Sequence, residues 1–281
     1  MPKINLITDA PRHNLALMKI SAYHKARGDS ISLNAPMDGC DISYGSWLYS
    51  QQYPTTHAGG TGVDPMIRLP KEIEQCKPDY SLYNLGYSLG YTWAYCPRQC
   101  PFCVVGEQDN PKVHHSIWDF HVADFHKICL LNNNTFADPQ WKETFEEIWD
   151  TEAVVVYDNG YDARLLDDEK AEALKRTRFE GSIHFAWDMM KDEAKVLQGL
   201  EIARKHHLKA VVYVLVGFNT TQEEDMYRCQ KIHDLKFDPY VMPYKLSSRK
   251  ATKQARAFKR FIDCRYYRKY KTIQEAWEDY R

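Results

Sequence analysis

The sequence predicts an α/β protein, a small front unit followed by a barrel or partial barrel of parallel strands, and three observations predict it. The opening alternates strand, amphipathic helix and strand. Beyond residue 79, six short β-rich runs recur with helix-length stretches between them, and polar residues collect where those runs end. Strands separated by crossover-length helices form parallel sheets, and chemistry in such sheets belongs at the carboxyl ends of the strands.

In order, "KINLITD" is a strand, "NLALMKISAYHKARGD" an amphipathic helix and "SISLNAP" the next strand. "GCDISYGSWLYS" predicts a third strand, and "HAGGTGVDP" a glycine-rich loop. Pro70 and Pro78 flank a joint, which sets a front domain over 1–78. The six later strands are "GYTWAYC", "HKICLLNNN", "EAVVVYDNG", "GSIHFAWD", "LKAVVYVLVGF" and "DPYVMPYK", which place the barrel over 79–248. Helices are expected in "WKETFEEIWD", "DDEKAEALKR" and "DEAKVLQGLEIARKHH", and Thr221 with Glu224 fits a capping box that opens "QEEDMYRCQKIHDLK". A basic, aromatic helical extension over 249–281 closes the chain.

The chain has 281 residues, 44% of them apolar, and a formal net charge of −1, so one barrel or a core with an appendage both fit. No apolar run is long enough to cross a bilayer, and "MPKINLITDA" has no secretory or transit pattern, so a soluble, cytoplasmic protein without a membrane partner is expected. The charge is uneven: Lys245 to Lys271 holds eleven Lys or Arg against one acid, Asp263.

Cys96, Cys100 and Cys103 lie within "AYCPRQCPFCVV", just after the first barrel strand. The other five cysteines are scattered singly and predict plain thiols, with no second cluster. A Cys-x3-Cys-x2-Cys spacing lets three soft thiolates converge, which suits zinc or an iron-sulfur cluster. Zinc would take His114 or His115 as a fourth ligand and close the site. A [4Fe-4S] cluster would instead keep one iron without a protein ligand, open to a small molecule.

With Phe102 immediately before the third cysteine, this motif resembles that of the radical S-adenosylmethionine superfamily. The six strand-helix units match that family's partial (β/α)6, TIM-like barrel. "NGYDARLLDDEKAEAL", "IHFAWD" and "YVLVGFNTTQEED" resemble a subgroup with a truncated cobalamin-binding-like, Rossmann-like domain in front. The resemblance implies that Cys96, Cys100 and Cys103 ligate a [4Fe-4S] cluster and that S-adenosylmethionine chelates its open iron. An electron from a flavodoxin- or ferredoxin-like donor then yields methionine and a 5′-deoxyadenosyl radical, which removes hydrogen from substrate. It also implies that Phe102 packs near the adenine, and that Asn132, Asn133 and Asn134 stand where the family commonly has an acid for the methionyl amino group. Amide oxygens can accept the same bonds.

Asn159, Asp162 and Arg164 follow the third barrel strand, and Asp188 closes the fourth. Arg164 suits the methionyl carboxylate through bidentate bonding, or else a surface pair with Asp167 or Asp168. Asp188 or Asn159 suits ribose hydroxyls; Gly217 lets backbone approach the adenine and Met242 lines its other side.

Cobalamin enzymes of the broader group carry an Asp-x-His-x-x-Gly element after the first strand. "TDAPRHNLALMK" has His13 without the Asp or Gly at that spacing, and "GGTG" (Gly59 to Gly62) reads as a remnant, so cobalamin is not expected. The tail mixes its cations with Phe258, Phe261, Tyr266, Tyr267 and Tyr270, which fits either a nucleotide or nucleic-acid footprint or a closing helix packed on the barrel. His126, His184 and His233 read as structural. The competing functions are cobalamin-dependent methyl transfer and a zinc-stabilised nucleic-acid-binding module.

Overall fold

A computed structural model of the chain describes residues 1–10, 12–156, 159–245 and 252–280. The chain divides into two compact units, Met1–Asn133 with Lys142–Tyr157, and Asn134–Trp141 with Asp158–Arg281. Among the described residues every strand pairing is parallel.

The first unit opens with β1 (Lys3–Thr8), α1 (Leu15–Ala26), β2 (Ser30–Leu33), β3 (Ile42–Ser46) and β4 (His57–Gly59), and its strands order as β2-β1-β3-β4. Asn14 starts α1 by accepting the Leu17 N–H, which satisfies a donor that the first turn leaves free. Leu17 and Ile20 then pack with Ile4 and Leu6 of β1 and with Ile73 of the short α2 (Lys71–Glu74). Met18, on another flank of α1, packs with Tyr80, Leu89 and Cys129 against a second sheet. One helix therefore buries apolar side chains of both sheets. That second sheet orders as β5-β6-β7, with β5 (Ser88–Gly90), β6 (Lys127–Leu130) and β7 (Val154–Val155); α3 (Trp141–Thr151) connects the last two.

The second unit follows with α4 (Asp168–Arg176), β8 (Ile183–Ala186), α5 (Glu193–Lys205), β9 (Ala210–Val216), α6 (Gln222–Asp234) and β10 (Asp238–Pro243), and its sheet orders as β10-β9-β8. Ile183, Phe185, Val212, Val214, Val216 and Val241 are buried on one face, against which α6 and α7 (Lys253–Asp263) pack. The alternate residues His184, Ala186, Tyr213, Tyr240 and Met242 share the opposite face. The expected capping box at Thr221 and Glu224 is present. At the end of the chain α8 (Ile273–Tyr280) buries Trp277 with Phe258, Phe261 and Tyr267.

Four expectations change. The glycine-rich stretch contains a strand, β4. The strand expected at 90–96 ends at Gly90, where a Cβ would lie 2.4 Å from the Phe120 ring. The six later strands are present and parallel, but among the described residues they form two three-stranded sheets. The tail's aromatics are largely core: Phe258, Phe261 and Tyr267 are buried, which favours the closing-helix reading over base stacking by these rings. Pro11, Tyr157, Asp158 and Leu246 to Ala251, parts of the quoted stretches, lie outside the described residues. Among the described residues no helix is long and apolar enough to cross a membrane.

Candidate active site

The cysteine loop leaves β5 at Gly90 and is braced at its start. Asn132, 2% exposed, accepts the backbone N–H groups of Thr92 (2.8 Å) and Trp93 (3.1 Å) on Oδ1 and donates through Nδ2 to Thr92 Oγ1 (2.8 Å). Thr144 donates to the same hydroxyl oxygen at 2.9 Å. Asn133 Nδ2 donates to the carbonyl of Ala94 at 2.6 Å. The end of the loop is held as well. Arg68 donates through Nε to Asp109 O (2.8 Å) and through Nη2 to Asn110 Oδ1 (2.5 Å), the His115 N–H returns to Thr92 O (2.8 Å), and Glu147 accepts from Ser116 Oγ (2.6 Å) and the Ile117 N–H (2.8 Å).

Between these braces Cys96, Cys100, Phe102 and Cys103 are half-buried, no disulfide is present, and the Cys103 N–H donates to Cys100 O at 2.9 Å to close a tight turn. Among the described residues no three Cys, His, Asp or Glu side chains are gathered as ligands of a single ion. The thiolates of a cubane stand on separate irons, so the three half-buried thiols need not gather on one ion to serve a cubane. His114, by contrast, lies 3.8 Å from Glu143 and His115 3.5 Å from Asp119.

In the second unit Gly160 adopts φ +87°, and the next residue, Tyr161, donates its N–H to His184 O at 2.7 Å. The chain then turns at Asp162, which caps the 3₁₀ turn Ala163–Leu165. Gly199 of α5 permits this turn, since a Cβ there would lie 1.8 Å from Ala163 O. Arg164 consequently points back. Its Nε and Nη2 meet Asp162 at 2.7 and 3.0 Å, its Nη1 meets Asp192 at 2.8 Å, and Asn134 Nδ2 donates to Asp162 Oδ2 at 3.2 Å. The partners of Arg164 are thus not Asp167 or Asp168, which bind Lys170, and Lys205 with His206. Asn159 is exposed.

Asp188 follows β8 and accepts the Leu215 N–H at 3.2 Å. Burial raises its pKa to about 6, against the opposing effects of that N–H and of the Arg228 and Arg164 charges. Gly217 takes φ +73° after β9, a conformation that favours glycine, and Met242 is 45% exposed.

Arg228 is a residue that sequence reasoning missed. It is fully buried in α6 and donates to Trp187 O (2.6 Å) and Leu215 O (2.8 Å), and it pairs with Asp225 (2.5 Å). It therefore ties the carboxyl ends of β8 and β9 together beside Asp188. A visible signal was the Asp-x-x-Arg pair set among the apolar positions of that helix.

In the front sheet Gly60 and Gly62 are covered by their own chain: a Cβ on Gly60 would lie 2.4 Å from Trp47 O, and one on Gly62 2.6 Å from the Tyr49 carbonyl carbon. His13 Nδ1 lies 3.0 Å from the Tyr87 hydroxyl, and burial, with Arg12 adding to it, lowers its pKa.

No family model matches the sequence, and no curated protein does either. Among solved structures, the radical S-adenosylmethionine methyltransferase TsrM from Kitasatospora setae, with cobalamin and a [4Fe-4S] cluster bound, superposes with a TM-score of 0.62 at 11% identity, over 86% of this chain and 75% of that one. This chain shares that fold. A second TsrM structure, with tryptophan substrate and an S-adenosylmethionine analogue bound, gives a TM-score of 0.59 at 10% identity over 87% and 73% of the two chains. At these identities the likeness is one of fold, and the parallel α/β sheets are what it covers.

Proposed function

We propose that the chain is a radical S-adenosylmethionine enzyme in which Cys96, Cys100 and Cys103 hold a [4Fe-4S] cluster. The observation that carries this reading is the Cys-x3-Cys-x2-Cys loop itself, leaving a parallel strand and braced at both ends, in a chain with the fold of a radical S-adenosylmethionine methyltransferase. When bound, the cluster supplies one electron to S-adenosylmethionine and so a 5′-deoxyadenosyl radical for hydrogen abstraction.

The protein's contribution is placement and exclusion of water. Asn132 and Asn133 fix the backbone leading into Cys96 and act as positioning residues. Phe102 offers an apolar surface beside Cys103. Within the second unit Asp188 and Gly217 follow β8 and β9 and suit ribose and adenine, whereas the guanidinium of Arg164 is already held by Asp162 and Asp192. A flavodoxin- or ferredoxin-like donor would reduce the cluster, in a reducing cytoplasm that also keeps the other five cysteines as thiols.

Anaerobic reconstitution with iron and sulfide, dithionite reduction and chromatography for 5′-deoxyadenosine test this reading, with Cys100→Ala as control. Cluster-dependent 5′-deoxyadenosine is expected from the wild type and none from the variant. One tight zinc and no 5′-deoxyadenosine would bring forward the zinc-stabilised nucleic-acid module.

A second reading, cobalamin-dependent methyl transfer, is favoured by one further feature. TsrM binds cobalamin, which removes support for expecting none here, and the loops after β3 and β4 expose Leu48, Tyr49, Tyr53, Met66 and Ile67. The covered Gly60 and Gly62 and the unmatched His13 spacing weigh against it. A shift in the absorbance of added hydroxocobalamin on titration with the protein would establish it, and an unchanged spectrum would leave the cobalamin-free reading.

A further inference from the structure

The open face of β8, β9 and β10 carries a row of rings that the roles above do not use. Ala186, Tyr213 and Tyr240 are in register across the three strands, with Met242 one step further along β10. His184 stacks on Tyr213 with centroids 5.0 Å apart at 29°, and Tyr213 meets Tyr240 edge-on at 5.5 Å and 67°. The interior of a closed barrel is normally filled by such side chains. Here Tyr240 is 39% and Met242 45% exposed, while their neighbours on the opposite face are fully buried. Ala186, level with Tyr213 on β8, adds little side-chain bulk beside its ring.

Charge decides which occupant suits this shelf. Among the described residues, Lys259 lies 4.2 Å from the centroid of Tyr240, but its ammonium is already paired with Asp263 and donates to Val241 O at 3.1 Å. Asp263 in turn accepts the Val241 N–H at 3.0 Å, so this pair caps the free edge of β10. Among the described residues the shelf therefore offers π faces and a polarisable thioether, and the cation beside it is already paired. Such a surface recognises a flat, uncharged ring by stacking and sulfur contact, and gives a phosphate nothing to bind.

We infer that the open face of β8, β9 and β10 seats a neutral planar aromatic or heteroaromatic ring of the substrate. This narrows the substrate class of the radical enzyme proposed above and rests on that reading for its chemistry, but ring binding itself needs no turnover. A neutral ring departs from the nucleotide or nucleic-acid footprint that the basic tail fits; of the tail's cations, Arg265 and Arg268 pair with Asp238 as Lys259 does with Asp263.

The test is saturation-transfer NMR and titration of the reconstituted full chain with indole, adenosine and adenosine 5′-monophosphate, for wild type, Tyr240→Ala, Tyr240→Leu and Cys100→Ala. Indole or adenosine is expected to bind, the monophosphate no tighter than adenosine, and both Tyr240 variants to weaken the ring about three- to tenfold. Cys100→Ala is expected to keep ring binding while losing 5′-deoxyadenosine, and a wild type that binds the ring but forms no 5′-deoxyadenosine would sink the radical reading alone. Tighter binding of the monophosphate, or Tyr240 variants that bind indole and adenosine as wild type does, would overturn the shelf. So would an equal loss of S-adenosylmethionine affinity in the Tyr240 variants, which would assign the surface to the cosubstrate's adenine. Thermal midpoints confirm that each variant is folded before its binding is compared.

Discussion

Neutral amides brace the cysteine loop of the first unit, where Asn132 and Asn133 grip Thr92 to Ala94, whereas paired charges organise the strand ends of the second, where Arg164 lies between Asp162 and Asp192 and Arg228 is buried against Asp225. The difference has consequences. An amide clamp keeps its strength across pH and salt, and losing it costs the desolvation of the groups it leaves behind. A buried charge pair is tolerable only while both members and their hydrogen bonds remain, and removing one leaves the other uncompensated. The second unit's charges, unlike the amides at the start of the loop, can respond to pH.

Breaking the charged side should have the largest effect. Arg228→Met removes donors to Trp187 O and Leu215 O and strands Asp225, and should cost about 3–5 kcal/mol in urea unfolding. Adding Asp225→Asn to that variant should recover part of the loss, since it removes the stranded charge. A single-variant loss under about 1 kcal/mol, within the range of exposed ion pairs, would mean that Arg228 is not the tie between β8 and β9.

The neutral side should break less in energy and more in chemistry. Asn132→Ala leaves two buried backbone donors without their acceptor and should cost about 1–3 kcal/mol, with the same loss at every pH from 5 to 8. The informative readout is the proposed cluster: after reconstitution, iron content should fall and the reduced electron paramagnetic resonance spectrum should broaden, because the lead-in to Cys96 is no longer held. A variant that is destabilised but keeps a wild-type spectrum would make Asn132 a fold residue only.

These two sites were not equally legible. The cysteine spacing could be read directly, since its chemistry lies within eight consecutive residues. Asn132 and Asn133 stood out as polar residues at a strand end, but their partners lie about forty residues earlier, and nothing local says that their amides face the protein's own backbone. Arg228 was hidden for the same reason, because its acceptors are carbonyls on two strands far away in sequence. The strands from β8 to β10 were legible through hydrophobic alternation. The strand expected at 90–96 was misplaced because Tyr91, Thr92 and Trp93 favour strands by propensity, while Phe120 closes the sheet edge at Gly90 and Asn132 redirects the chain. Tertiary contacts overrode local preference there.

Asp188 gives the smallest and most specific contrast between the units. Its pKa stands at about 6 in the folded protein against 3.8 for an ordinary aspartate, so between those values the folded chain holds a proton that the unfolded chain releases. Stability from this group is therefore complete below about pH 4 and is lost as pH rises through 6. Asp188→Asn stays neutral at every pH and keeps an oxygen to accept the Leu215 N–H. It should flatten the slope of stability between pH 4 and 7 and leave the variant on the order of 1 kcal/mol more stable than wild type at pH 7, once the carboxyl's partial exposure is discounted. Urea midpoints across that range check it, with Asn132→Ala as the reference whose slope should match wild type. Parallel slopes for Asp188→Asn and wild type would show that the carboxylate is already ionised at pH 4, stabilised by Arg228 and Arg164, and that the second unit's charges, like the first unit's amides, are structurally fixed and do not titrate in this range.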